Sequence, residues 1–325
     1  FYNSVTKGAF KNTKINFISK RKIGYIISCT VILIGIFSMS SRGLNQGVDF
    51  QGGRTYVVRF DDKVSNEDIR SKLTNVFVTE EGVNLSPEVK TFGDNNQVKI
   101  TTNYLIYSQD ENADKLVQDA LEKGLKEYLL ASNINSFDIM SSQKVGPTIA
   151  PKIKASAVQA ILLSLIIIFI YILIRFKNWE YSLGAVVAVF HDILFVLGLF
   201  SIFYGKLPFS LEINQAFIAA LLTIIGYSLN DTVVVFDRIR EYFNNSTSSK
   251  YDKELVNSAL NSTLSRTVNT SLTTFFVLFI IFSLGGEVIR GFMFALLIGV
   301  VVGTYSSLFI ATPVMYDAIN RKHKK

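Results

Sequence analysis

Hydrophobic residues gather in six runs along the chain, and each run is long enough to form a membrane-spanning helix. About 20 apolar residues in a helix cross the roughly 30 Å hydrocarbon core of a bilayer. Such segments must be helical, because lipid offers no hydrogen-bond partner to an open backbone. The runs are Ile23–Ser41, Ile153–Ile174, Leu183–Phe203, Ala216–Phe236, Val268–Leu284 and Phe292–Met315. The pattern predicts an α-helical polytopic membrane protein with six transmembrane helices.

Basic residues beside these runs predict the orientation of the helices. Lysine and arginine concentrate before the first run, after the second and at the C-terminus, which places these flanks on the cytoplasmic side. Both termini are then cytoplasmic. The predicted regions are a cytoplasmic N-terminal segment or linker at 1–22, the first transmembrane helix at 23–41, an external (periplasmic) domain at 42–150, a five-helix transmembrane domain at 151–316 with a cytoplasmic loop at 237–266, and a basic cytoplasmic tail at 317–325.

The external region alternates between strand and helix patterns. Arg54–Phe60 has a β-rich alternation, and Ser65 offers a cap to a following helical segment. Two strand-like stretches then flank Asp94–Asn96, which indicates a hairpin. An amphipathic helix follows at Ala113–Leu130, and Ile134–Ser142 is the last strand. The order βαββαβ predicts an α+β ferredoxin-like domain inserted after the first transmembrane helix.

The predicted cytoplasmic loop carries one further helical pattern. Residues 251–264 place apolar side chains at helical spacing within a polar sequence. We interpret this stretch as a short amphipathic helix that lies along the inner membrane surface.

Composition supports a membrane protein and excludes a nucleic-acid-binding one. The chain has 325 residues, is 49% hydrophobic and carries a formal net charge of +7, with a mean hydropathy of +0.32. The positive charge flanks apolar runs instead of forming a binding patch, so no nucleic-acid partner is predicted. Cys29 is the single cysteine, so an intrachain disulfide is impossible. The first run is also compatible with a signal peptide, but its length favours a transmembrane helix.

Charged and polar residues interrupt three of the five C-terminal apolar runs. A charge at the bilayer centre costs on the order of 3 kcal/mol or more, so such residues face the bundle interior or an ion path. The candidates are His191 and Asp192 in the third run, Asn230 and Asp231 in the fourth, and Arg266, Asn269, Thr270 and Thr273 at the start of the fifth. These residues are the main candidates for a functional site.

Asp231 and Arg266 are predicted to approach one another, because they lie at similar depths in consecutive helices of opposite direction. An ion pair that forms when Asp231 is ionised and loosens when it is protonated is a two-state element. For Arg266 a position at the membrane interface is an equal alternative. The uncharged residues Asn230, Asn269, Thr270 and Thr273 are interpreted as polar contacts between helices. His191 and Asp192 either relay protons or only hydrogen-bond across helices.

Four motifs together resemble the SecD/SecF family of protein-export membrane subunits. They are GVDFQGG (Gly47–Gly53, with Asp49, Phe50 and Gly52), HD at 191–192, GYSLNDTVVVFDRIRE at 226–241 and SRTVNTSLTT at 265–274. The resemblance covers essentially the whole chain. The residues Asp49-Phe50 favour the SecF branch, since the equivalent SecD motif is closer to GLDLRGG.

This resemblance implies a role in the Sec pathway and a place in the resistance–nodulation–division superfamily. It implies an accessory subunit in the bacterial inner membrane that uses an ion gradient such as the proton motive force to assist late-stage protein export. The implied partners are SecD (a separate chain, or the first half of a fused SecDF chain), the SecYEG translocon, exported unfolded polypeptides and membrane lipid. Asp231 is then the main carboxylate and Arg266 its basic neighbour. No cofactor or metal is implied.

Three other functions are considered. A structural scaffold would need no ion path. A small-molecule exporter of the same superfamily would need a large apolar pocket in the external region. An enzyme is disfavoured, because the polar residues do not form a nucleophile–base–orienter set and HD in one helix lacks further zinc ligands.

Overall fold

The structure is a computed structural model that describes residues 13–79, 81–108, 110–246 and 252–322. Parts of the predicted N-terminal segment (1–12) and of the basic tail (323–325) therefore lie outside the described residues. The elements are α1 (Phe17–Arg42), α2 (Val48–Gln51), β1 (Gly53–Phe60), α3 (Asn66–Val76), β2 (Glu88–Phe92), β3 (Asp94–Thr102), α4 (Ala113–Ser132), β4 (Phe137–Val145), α5 (Ala150–Phe176), α6 (Trp179–Phe203), α7 (Gln215–Asn244), α8 (Lys253–Leu284), α9 (Glu287–Ser306) and, after a π-helical turn, α10 (Thr312–Lys322).

Six helical stretches in the described residues are long and apolar enough to cross a membrane, which confirms the predicted fold class. The first is α1, which begins six residues before the predicted run because Asn16 caps it through its side chain. Five more follow the external domain, and the last of them joins α9 to α10. The observed arrangement is one helix, a small α+β domain, and five helices.

The external domain has the predicted βαββαβ order. Its four strands form an antiparallel sheet in the order β2-β3-β1-β4, and α3 and α4 cover one face. The core is closed by large side chains from both layers, among them Phe60, Leu73 and Leu121. The β-rich pattern at Arg54–Phe60 correctly predicted β1, which lies in the middle of the sheet and pairs with β3 and β4.

The cytoplasmic loop predicted at 237–266 is largely helical in the structure. Helix α7 continues to Asn244, and α8 begins at Lys253, where Asp252 caps it. The separate surface helix predicted at 251–264 is wrong, because residues 253–264 form the first turns of the 32-residue helix α8. No glycine or proline occurs between Lys253 and Leu284, so nothing in the sequence ends the helix where the apolar run starts.

The last membrane stretch changes its winding near Pro313. A π-helical turn spans Ser307–Ala311 between α9 and α10, and the Thr312 hydroxyl donates to the carbonyl of Ser307 at 3.0 Å. Proline has no amide hydrogen to donate to the preceding turn of an α-helix. Single π-helical turns occur within α-helices as local irregularities of this kind. The predicted run at 292–315 therefore contains this irregularity.

Close glycine contacts bring the inner membrane helices together. A Cβ atom placed on Gly198 of α6 would lie 2.9 Å from the Cα atom of Gly35 in α1, a distance that only two glycines allow. About half of the most apolar stretch is buried in α6 and in the last helix, but only 11% in α5 and 6% in α8. Helices α5 and α8 therefore form the outside of this bundle.

Asp114 is expected to make the stability of the external domain depend on pH. The buried Arg54 guanidinium donates to Asp114 at 2.5 Å, and Lys144 donates to the same oxygen. These hydrogen bonds, first that of Arg54 and then that of Lys144, lower the pKa of Asp114. A lowered pKa in the folded state stabilises the fold above the unfolded pKa of about 4, and this contribution disappears as the pH falls through the folded value.

We therefore expect the backbone amides of the external domain to lose protection against hydrogen exchange in the reconstituted chain as the pH falls below about 5. Asp114→Asn should reduce the protection at neutral pH and flatten this decline. Amide hydrogen exchange, corrected for the intrinsic rate at each pH, measures both effects. Asp61→Asn is the control, because Asp61 accepts from the Ser136 hydroxyl and has no cationic partner among the described contacts. An equally steep decline in Asp114→Asn would refute the assignment.

Candidate ion-relay site in the membrane helices

Two carboxylates are buried between the membrane helices. The exposed fraction of Asp231 on α7 is 4%, and that of Asp192 on α6 is 1%. Within the part of the chain that the structure describes, neither forms a salt bridge with a lysine or an arginine, and hydroxyl groups are the shared feature of both surroundings. An acidic group in this position is costly, so its partners decide what it can do.

Asp231 lies where α7, α8 and α9 meet. The Ser271 hydroxyl of α8 donates to Asp231 Oδ2 at 3.3 Å, and the Thr304 hydroxyl of α9 lies 2.5 Å from Ser271 Oγ. When Ser271 donates to Asp231, the single proton of the Thr304 hydroxyl has two possible acceptors, Ser271 Oγ and the carbonyl of Val300 at 2.9 Å. We call these three residues the Asp231 site. Hydroxyl oxygens and a carboxylate can accept a proton or surround a small cation.

The predicted ion pair between Asp231 and Arg266 is not formed. Among the described salt bridges none includes Arg266, and its side chain is exposed on the outer face of α8. The difference arises from the rotation of α8, which turns Ser271 and Thr267 inward and turns Arg266 outward. Similar depth along two helices does not determine which face of a helix meets its neighbour.

Four candidate residues of α7 and α8 are exposed within this chain. We call them together the α7–α8 polar face, and they are Asn230, Arg266, Asn269 and Thr273. The interpretation of Asn230 and Asn269 as contacts between helices of this bundle is therefore wrong. Thr270 and Thr273 do not serve as contacts either, since their hydroxyls donate to carbonyls of their own helix. Tyr227, which donates to Thr274 at 3.3 Å, is the polar side chain that joins α7 to α8 near this face.

His191 and Asp192 form a second cluster, which we call the HD cluster. His191 Nδ1 lies 2.9 Å from Asp192 Oδ1, and His191 Nε2 lies 3.0 Å from the Ser28 hydroxyl of α1. The hydroxyls of Ser228 in α7 and Ser306 in α9 donate to Asp192 Oδ2 at 2.6 and 2.8 Å. The cluster therefore joins four helices through buried hydrogen bonds.

The HD cluster and the Asp231 site are neighbours along two helices. Ser228 precedes Asp231 by one helical turn on α7, and Ser306 follows Thr304 on α9. A third contact continues this seam, since the hydroxyls of Thr232 and Ser307 lie 2.9 Å apart. No described hydrogen bond links Asp192 directly to Asp231, so participation of His191 and Asp192 in the ion relay stays a hypothesis.

The glycine-rich segment after α1 lies between the membrane helices and the external sheet. Asp49 is buried, Phe50 packs into the core of the membrane helices, and Gly52 and Gly53 have φ angles of +76° and +135°. Positive φ favours glycine. A Cβ atom on Gly47 would lie 2.2 Å from a carboxylate oxygen of Glu212, so a side chain at this position would have to displace the Glu212 carboxylate.

Family models match both parts of this architecture. Residues 125–321 match the model described as "Protein export membrane protein SecD/SecF, C-terminal", and residues 37–64 match the "SecD/SecF GG Motif". The "Protein translocase subunit SecF" of Rhodothermus marinus is 46% identical over 95% of this chain and 94% of its own length. The chain belongs to the SecD/SecF family, in its SecF branch. The SecF of Thermodesulfovibrio yellowstonii is 41% identical over 93% of the chain and 94% of its own length.

Solved structures of SecDF agree with this SecF assignment. The crystal structure of SecDF from Thermus thermophilus, described as a translocon-associated membrane protein, superposes with a TM-score of 0.77 at 31% identity. A second structure, SecDF in a super-membrane-facing form, gives a TM-score of 0.65 at 31% identity. Both matches cover 96% of this chain, which spans 39% and 40% of the SecDF chains. The fold of SecF is thus shared with one part of a longer protein.

The sequence analysis missed the hydroxyl residues that contact the two carboxylates, or that contact His191 and Ser271 beside them. They are Ser28, Ser228, Ser271, Thr304 and Ser306. Serine and threonine are common in transmembrane helices, so each residue alone is a weak signal. A usable signal was spacing, because Ser228 and Asp231 are three residues apart and so share one face of α7.

Proposed function

We propose that this chain is an accessory subunit of the Sec protein translocase that uses an ion gradient to assist the late stage of export. It would act in the bacterial inner membrane with both termini in the cytoplasm, beside SecD, the SecYEG translocon and an unfolded exported polypeptide. The shared fold and the SecF relatives support the role in export. Asp231 supports the coupling to ions.

The single observation that carries this proposal is the environment of Asp231. The carboxyl group is buried, its contacting partner is a hydroxyl, and no cation contacts it among the described residues. A group that only stabilised the bundle would gain more from a fixed ionic partner, since an unpaired charge in this position is expensive. Hydroxyl partners instead suit a carboxyl group that exchanges a proton or a sodium ion.

The α7–α8 polar face supports the proposal that another protein surface completes the Asp231 site. Helix α8 buries little of its apolar surface in the chain itself, and Arg266, Asn269 and Asn230 face outward beside it. Isolated polar groups do not face lipid at this depth. We propose that the SecD half covers this face, and that Arg266 approaches Asp231 when the two halves move.

The ion gradient supplies enough free energy for such a movement. One elementary charge that crosses the membrane potential yields about 2.3 kcal/mol per 100 mV. A shift of a two-state equilibrium from mostly one state to mostly the other needs about 5.5 kcal/mol. About three charges per cycle at 100 mV therefore suffice, with no covalent chemistry. The external domain would then change its orientation and hold or pull the emerging polypeptide.

A vesicle experiment tests the coupling and identifies the ion. Inverted membrane vesicles with SecYEG and SecD, with and without this chain, import a preprotein under a proton gradient or a sodium gradient. We expect a stimulation by one of the gradients that depends on this chain and is lost with the matching ionophore. An equal gain from the chain in vesicles without any gradient would instead support the structural scaffold.

The small-molecule exporter is less consistent with the external domain. Its core is filled by side chains of the sheet and of α3 and α4, and its described residues leave no large apolar chamber within that core. The small-molecule exporter would regain support only if import of the preprotein did not depend on this chain.

A further inference from the structure

Asp49 touches the two parts of the molecule whose movements must be coupled. Its Oδ2 accepts from the backbone N–H of Gln215, the first residue of α7, and its Oδ1 accepts from the side-chain amide of Gln143 in β4, each at 2.9 Å. Asp49 itself is 7% exposed. One carboxylate thus joins the external sheet to the helix that carries Asp231 sixteen positions further along.

Backbone hydrogen bonds hold the same junction in register. Gly47 donates to the carbonyl of Ile213 at 2.9 Å, and Ile213 donates to the carbonyl of Asn45 at 2.7 Å. This short parallel pairing places the segment before β1 beside the segment before α7. Glu212 adds an ion pair with Lys99 of β3, so the loop before α7 is bound to the sheet at a second point.

We propose that the segment 46–53, anchored by the carboxylate of Asp49, is the mechanical link that transmits movement of α7 to the external domain. This inference rests on the proposed ion-driven function and assigns the coupling within it. Asp49 acts as a positioning residue and binds no ion. The helix N-terminus supplies the N–H group of Gln215, which has no acceptor one turn earlier within the helix, and the negative charge also suits the positive end of α7.

The chemistry of the two contacts separates a link from an ion site. In Asp49→Asn, the side-chain oxygen can accept from Gln215 N–H while the new NH₂ group donates to the oxygen of Gln143, whose amide is free to turn over. Both contacts therefore survive without the charge. In Asp49→Ala both contacts are lost, and in Gln143→Leu only the contact with the sheet is lost.

The direct test is a distance measurement in the reconstituted complex. Cys29→Ser removes the natural thiol, and the substitutions Asp138→Cys in β4 and Lys206→Cys in the loop before α7 provide the two sites for spin labels. We expect one narrow distance distribution that shifts when the gradient ion is added. Asp49→Asn should retain the shift, whereas Asp49→Ala and Gln143→Leu should broaden the distribution and lose it.

Gradient-stimulated export should follow the same order, and carbodiimide labelling of Asp231 should be unchanged in all these variants. Gln97→Leu is the matched control, because Gln97 accepts from Arg59 on the same sheet without touching a membrane helix. Loss of the shift in Asp49→Asn with intact folding would overturn the link and indicate a charge role. An ion-dependent shift together with gradient-independent export in the parent chain would instead overturn the proposed function.

Discussion

Asp231→Asn is expected to abolish gradient-stimulated export while the chain still assembles with its partners. Asparagine has nearly the same shape and can still accept from Ser271, so the contacts among α7, α8 and α9 persist. It can neither bind a proton nor supply the negative charge that holds a sodium ion. Import into vesicles with and without the gradient measures the effect, and co-purification with SecD measures assembly.

Asp237→Asn is the matched control on the same helix. Asp237 lies six residues further along α7 and forms salt bridges with Arg175 and Arg240 at 2.9 Å, outside the Asp231 site. We expect it to keep the stimulation. Ser271→Ala should reduce the stimulation without abolishing it, because the carboxylate remains but loses its hydroxyl partner. Full stimulation in Asp231→Asn would refute the proposed function and leave the scaffold.

The fold was predictable because its patterns are local. Apolar runs of about 20 residues are typical of membrane-spanning helices, and the alternation at Arg54–Phe60 identified a strand that lies in the middle of the sheet. Helix ends were harder to predict. The apolar run of α8 starts at Val268, whereas the helix starts at Lys253, since a helix can continue into water beyond its apolar part.

The candidate site was predictable only in part, for a physical reason. The cost of burial singled out Asp231 and Asp192, and both are buried. Partners depend on helix rotation and on neighbours that are distant in sequence, such as Ser271 for Asp231. Arg266 shows the limit most clearly, because its outward position follows from the packing of α8 against α7 and α9 and not from its depth.

The contacts of Asp49 could not be predicted from the sequence pattern either. The motif GVDFQGG was recognised by resemblance, but its contacts join residues that are far apart in the chain, as in the bond between Gln215 and Asp49. The positive φ angles at Gly52 and Gly53 explain the glycines. The acidic residue is explained by the two N–H donors that converge on it.

Asp192→Leu is expected to cause the largest loss of stability among single changes in the membrane helices. Leucine fills a similar volume but accepts no hydrogen bond, so His191 Nδ1 and the Ser228 hydroxyl lose their partner. Ser306 retains an alternative acceptor, the carbonyl of Gly303 at 3.1 Å. Each buried donor without a partner costs about 1–3 kcal/mol, so the free energy of unfolding should fall by about 3 kcal/mol. Equilibrium unfolding of the purified chain in mixed micelles measures this.

Asp192→Asn distinguishes packing from proton relay in the HD cluster, and Ser201→Ala is a stability control outside it. Ser201→Ala removes a hydroxyl outside the HD cluster that contacts the Ser38 hydroxyl and donates to the Gly43 carbonyl, each at 2.9 Å, and should cost only about 1 kcal/mol. Asp192→Asn keeps one acceptor oxygen and should lose less stability than Asp192→Leu. If the cluster serves packing, Asp192→Asn retains gradient-stimulated export in proportion to the folded chain. A stable Asp192→Asn chain without stimulation would place His191 and Asp192 in the ion path, because its only missing property would be an ionisable group.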